Sequence, residues 1–138
     1  MKTPKPKAAV YPEIHDNAEM ASRVEEGLPV RDLVEFGRHA GFSNEELAHL
    51  IHIPPRTYAR RVAAKSRLKV PEGERAVRLM RLYALAKKVF VTDENTRGWF
   101  HGRIRALGGK TPIEFARTEP GAREVEDLIG RIEDGIFS

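Results

Sequence analysis

Cysteine is absent from this chain, which removes disulfide frameworks, thiolate metal sites and cysteine nucleophiles together. A thiol-free chain fits a reducing compartment. Long apolar runs are missing as well. A membrane helix needs roughly 18 consecutive apolar residues, and the densest region, 76–91, is interrupted by Arg78, Arg81, Lys87 and Lys88. The N-terminal stretch MKTPKPKAAVYPEIH is basic, but its apolar part is only Ala8 to Val10, too short for the core of a signal peptide. The expected location is therefore the cytoplasm. No βαβ alternation and no internal repeat can be found, which excludes doubly wound and P-loop nucleotide enzymes.

The 138 residues, 41% hydrophobic and 32% charged, suit one domain with one core. Every segment with a periodic pattern reads as helix, so the expected fold class is all-α. Residues 1–12, with Pro4, Pro6 and Pro12 among lysines, read as a flexible arm, and 13–26 as a weak helix ending at Gly27. Pro29 to Gly41 has proline near a helix start and glycine at its end. Ser43-Asn-Glu-Glu46 predicts a capping box: the serine hydroxyl accepts from the Glu46 amide and the carboxylate reaches back. A short helix follows to Ile51. Pro54-Pro55 ends it and starts another, because proline costs little at a first helical position. Pro71 opens a long, broadly apolar helix, the expected core pillar. Thr92 or Asp93 caps a helix carrying Trp99 and Phe100, with Trp99 expected in the core, and Gly108-Gly109 breaks the chain after it. Thr111-Pro-Ile-Glu114 is a second capping box. The last helix runs from about Thr118 to Asp134 with Val125, Leu128, Ile129 and Ile132 on one stripe, and Gly135 is expected to stop it.

Acidic residues are also missing locally. From Leu47 to Pro71 there is none, while Arg56, Arg60, Arg61, Lys65, Arg67 and Lys69 all fall there. In a chain whose net charge is only +4, such a one-signed stretch reads as a footprint for a polyanion or as a solvated basic helix face. The apolar pattern favours the first. Leu47, Ala48, Ile51, Ile53, Tyr58 and Val62 are spaced as in a helix-turn-helix, with a small residue where the helices cross. Tyr58 and Val62, four apart, turn inward, which leaves Arg56, Thr57, Arg60 and Arg61 outward. Arginine's planar fork can grip a guanine edge or a phosphate; Lys65, Arg67 and Lys69 lie beyond the helix, where phosphate contact is expected. The tight turn commonly holds glycine where His52 stands, and histidine is among the residues that tolerate a left-handed backbone. An ordinary packed helical pair is the competing reading.

Read together, Ile53-Pro-Pro-Arg-Thr-Tyr-Ala-Arg-Arg61, Arg67-Leu68, Glu74-Arg75, Arg78-Leu79, Trp99, Leu107-Gly-Gly-Lys-Thr-Pro112 and Thr118-Glu-Pro-Gly-Ala-Arg-Glu-Val-Glu-Asp-Leu128 resemble the Xre/MbcA/ParS antitoxin family over about residues 28–138. The family often has Pro-Asn where Arg103-Ile104 stand here, so the connection after the tryptophan helix is expected to differ. The resemblance implies a division into an arm and weak helix (1–27), a helix-turn-helix domain (28–91) and a toxin-binding domain (92–138). It implies a RES-domain toxin as partner, an enzyme that attacks NAD, whose nucleotide pocket the C-terminal module blocks. It further implies repression of the shared operon through the helix-turn-helix.

On that footing the expected toxin contacts are Gly108, Gly109, Lys110, Thr111, Arg117, Arg131, Ile136 and Phe137, and the expected DNA contacts are the seven polar and basic residues above. Dimers are expected because one short helix reads few base pairs and operators tend to be two-fold symmetric; Met20 to Val24 and Ala76 to Phe90 are candidate dimer surfaces. No cofactor and no metal are expected. His49 and His52, three apart, lack both the zinc-protease spacing and a third ligand, and no sequence neighbourhood suggests a catalytic triad. Two other readings stay open: a stand-alone helix-turn-helix regulator whose C-terminal helices only dimerise, and a small helical enzyme.

Overall fold

Caps, prolines and glycines divide the described residues into eight α-helices joined by short connections. In the computed structural model of the chain the described residues are 17–137, the side chain of Phe137 excepted. The arm expected over residues 1–12, the start of the weak helix at 13–16 and the Phe137 side chain lie outside them. The helices are α1 (Asn17–Glu26), α2 (Val30–Ala40), α3 (Asn44–Leu50), α4 (Pro55–Ala64), α5 (Val70–Phe90), α6 (Asp93–His101), α7 (Pro112–Phe115) and α8 (Glu119–Phe137), with a 3-10 turn at Arg105–Leu107. No strand occurs among the described residues, and no helix there is long and apolar enough to cross a membrane. All-α is the fold class observed.

α5 is the pillar, as its apolar surround predicts. α1, α2, α6 and α8 all pack on it, burying Ala76, Met80, Leu82, Tyr83 and Ala86 to 2% exposure or less. Four aromatic rings tie three helices together around Tyr83. Phe36 meets it edge-on at 5.4 Å, Phe42 edge-on at 5.9 Å, and Phe100 stacks on it at 6.1 Å. Aromatic pairs in such offset or T-shaped arrangements add about 0.5–1.5 kcal/mol each beyond the area they bury. The Tyr83 hydroxyl donates to Asp93 at the start of α6.

Three expectations need correction. Gly135 does not stop α8, which continues to Phe137. Glycine ends a helix when it takes a left-handed conformation, as Gly27 and Gly41 do at φ 93° and 81°, and Gly135 does not. The candidate dimer surfaces are used internally: Met20 and Val24 are 6% and 7% exposed, and the long helix is covered by four others. Trp99 is half-buried rather than central, stacked on Phe90 at 5.3 Å.

Candidate nucleic-acid interface and partner-binding module

α3 and α4 form the expected helix-turn-helix. The Ser43 hydroxyl accepts from the Glu46 amide at 3.1 Å and starts α3. Ala48, 1% exposed, sits at the crossing, and the Ile53 amide donates to its carbonyl at 2.9 Å to set the turn. His52 takes the left-handed position at φ 60°, as its place in the turn requires. Tyr58 is buried in α4 with its hydroxyl toward Asn44, and burial pushes that phenol up to about 12. Val62 packs against the core beside it.

With Tyr58 and Val62 inward, Arg56 and Arg60 are exposed on the opposite face and Thr57 is half-buried between the faces. Neither arginine pairs with a carboxylate among the described residues. Lys65, left-handed at φ 53° at the end of α4, and Lys69 are exposed too. Arg61 departs from expectation. Its guanidinium pairs with Glu72 in the first turn of α5, the two side chains being only 16% and 12% exposed. The return of the chain after α4 brings the start of α5 under this position, which helical periodicity within α4 cannot show. Arg67 is exposed but donates to the Gly27 carbonyl at 2.7 Å, so it also fastens the link between α1 and α2.

The C-terminal module begins with a loop held by pairing of Ile104 with Lys110. Gly108 and Gly109 take φ 69° and 82°, and no atom lies within 4 Å of where a side chain would start. Glycine is needed here by the backbone, and the space outside is open. Gly121 is needed for contact, since a Cβ there would lie 1.8 Å from the Phe115 carbonyl oxygen. Lys110 is exposed, its ammonium 6.0 Å from the Phe115 ring centre. Arg131 is exposed, and so is Ile136 at 57%.

Thr111 and Arg117 are engaged within the chain instead. The Thr111 hydroxyl caps α7, accepting from the Glu114 amide at 3.3 Å. Arg117 donates to the His49 carbonyl at 3.3 Å and pairs with Glu114, while its own carbonyl accepts from Arg78 at 3.0 Å. Arg117 belongs to a clasp between the two halves that sequence reasoning missed. Its other members are His49 against the Glu114 carboxylate at 3.2 Å, His101 against Glu46 at 2.7 Å, and His52 against the Arg117 carbonyl at 3.0 Å. Each capping glutamate therefore supplies its amide to the local cap and sends its carboxylate across to a histidine. Among the described residues no group of three or more histidines and acids could hold a metal ion.

α8 lies along α5. Arg78 pairs with Glu119 at 3.3 Å and Arg81 with Glu126 at 2.8 Å, so the two helices run in the same direction. Ala122, Val125, Leu128 and Ile129 are buried, whereas every residue from Glu133 to Ile136 is exposed. The helix is thus anchored by its buried stripe and solvent-exposed at its last turn.

Comparison with known proteins bears on both halves. Residues 19–81 match the family described as Antitoxin Xre-like helix-turn-helix domain. Residues 85–135 match the Antitoxin Xre/MbcA/ParS C-terminal toxin-binding domain. The chain is 35% identical over 114 residues to an Antitoxin Xre of Photorhabdus laumondii, covering 82% of this chain and 77% of that one. An Antitoxin Xre of Yersinia enterocolitica is 36% identical over 100 residues, 72% of this chain and 68% of that one. A third, from Pseudomonas putida, is 26% identical over 124 residues, 90% of this chain and 77% of that one.

Proposed function

This chain belongs to the Xre antitoxin family, type II antitoxins with a helix-turn-helix and a toxin-binding domain, and from that premise we propose that it neutralises a RES-domain toxin by blocking its NAD-binding active site. The observation that carries the reading is the shape of α8. Its buried stripe fixes it to α5 and leaves Ile136 exposed on the last turn, where one apolar side chain at a helix end can plug a nucleotide pocket that a broad protein face cannot enter. Gly108, Gly109, Lys110 and Arg131, open on the same module, supply the surrounding contacts.

The basic face of α4 completes the proposal. Arg56, Thr57 and Arg60 read an operator in the major groove, and Lys65, Arg67 and Lys69 hold phosphates alongside. Two copies bind a two-fold operator and repress the operon that encodes antitoxin and toxin together.

Co-expression is the test. The adjacent RES-domain gene alone is expected to arrest growth and either lower cellular NAD or attach ADP-ribose to a target, and this chain to relieve the arrest. A chain lacking residues 133–138 keeps the buried stripe of α8; it is expected to fold and to lose the relief. Full relief by that shortened chain overturns the plug.

A further inference from the structure

We propose that Val91 is a second docking point for the toxin, placed on the body of the molecule and presented by a strained turn. The proposal rests on reading the C-terminal module as the toxin's binding surface and adds a contact that the tail of α8 cannot supply.

Val91 joins α5 to α6 at φ 76° and ψ −52°. The Thr92 amide donates to the Phe90 carbonyl at 2.9 Å across it, so it is the central residue of a γ-turn with positive φ, the rare and strained form. For a β-branched residue this region is a steric outlier. Elsewhere the chain reverses through Gly27, Gly41, Gly108 and Gly109, or through His52 and Lys65, at positive φ. Val91 is the one β-branched residue among them. Tightness of the connection explains the backbone but not the side chain, because glycine meets the same geometry without strain. Packing does not explain it either: Val91 is 72% exposed. A branched apolar group held in water at a cost in backbone strain is an outlier of the kind that clusters at ligand clamps and other functional sites.

Its position identifies the partner. Val91 and Ile136 are the only exposed large hydrophobics among the described residues. Because α5 and α8 run in the same direction, with Arg81 paired to Glu126, both residues fall at the same end of the helix pair. Val91 lies within the segment matching a toxin-binding domain, and Ile136 adjoins it. An enzyme receiving the tail at its pocket therefore meets Val91 at the rim, and an apolar anchor there slows dissociation.

The decisive variants are V91G and V91N, since both residues accept positive φ and neither leaves a core cavity. Binding to the purified RES-domain toxin is measured by calorimetry, with the melting temperature beside it. Both variants are expected to melt at or above the wild-type temperature and to bind at least threefold more weakly, a split that a merely structural role for Val91 does not give. If the intact chain binds and I136A binds more weakly, while V91G or V91N stays within threefold of wild type, this proposal falls and the plug stands. If the intact chain does not bind that toxin, the function proposed above falls and this proposal with it. A wild-type dimer in sedimentation that V91G dissociates assigns the patch to a second copy and overturns the toxin as occupant.

Discussion

The basic face of α4 and the exposed apolar residues Val91 and Ile136 offer opposite chemistry. On α4 Arg56 and Arg60 are exposed beside the half-buried Thr57, with Tyr58 and Val62 turned under them. At the end of α8, Ile136 is an exposed branched apolar side chain beside the exposed acids Glu133 and Asp134, and Val91 is a second exposed branched apolar side chain. A polyanion is met by charge at a distance, without full desolvation, and such binding weakens steeply with salt. An enzyme pocket is met by displacing water from apolar surface, which is short-ranged and nearly salt-independent. Under the proposed function, neither surface then competes for the other's ligand.

The largest expected effect erases the comparison. Phe100 is fully buried and stacks on Tyr83 where both halves meet α5, so Phe100→Ala is expected to cost about 3–5 kcal/mol in urea unfolding and to abolish DNA and toxin binding together. Retention of either activity with native stability would show that the halves fold independently.

Next come the arginines, which sharpen the comparison within α4 itself. Arg61→Ala leaves the largely buried Glu72 carboxylate without its cation and is expected to cost about 1–3 kcal/mol of stability. Arg56→Ala and Arg60→Ala are expected to leave unfolding unchanged. They should lose about 1–3 kcal/mol of operator affinity each if they grip bases, or lower the salt slope by about 0.9 each if they grip phosphates, with toxin neutralisation intact. Salt-insensitive operator binding would remove the electrostatic account.

The smallest effect is in pH. Burial opposes ionisation of Asp93, but hydrogen bonds from Tyr83 and Lys87, with the charges of Lys87 and His39, outweigh it and hold the carboxyl below its usual range. A carboxyl lowered in the folded state stabilises above its unfolded pKa and loses that contribution as the medium acidifies through the folded value. Asp93→Asn is accordingly expected to flatten the acid limb of melting temperature against pH and to change little on the alkaline side.

Much of this arrangement is legible in the one-dimensional pattern because its causes are local. Pro55 and Pro71 mark helix starts by lacking an amide hydrogen, Ser43 and Thr111 by offering a hydroxyl to an amide three residues on, and Tyr58 and Val62 face inward by helical spacing alone. The acid-free stretch from Leu47 to Pro71 marks the basic face for the same reason, since charge on a short helix is set by composition. Arg61 and Arg117 were legible only as cations on outward-looking faces, because the groups that capture them come from 11 and 68 residues away.

By itself, then, the amino-acid sequence determined the helices, their caps, the basic face of α4 and the apolar stripe of α8, all of which follow from interactions within a few residues. Tertiary structure alone decided which polar groups remain free. It drew the carboxylates of Glu46 and Glu114 across to His101 and His49, sank Arg61 onto Glu72, and left Val91 strained in solvent. An ion pair or an exposed side chain is fixed by what the rest of the chain brings beside it, and no local spacing encodes that.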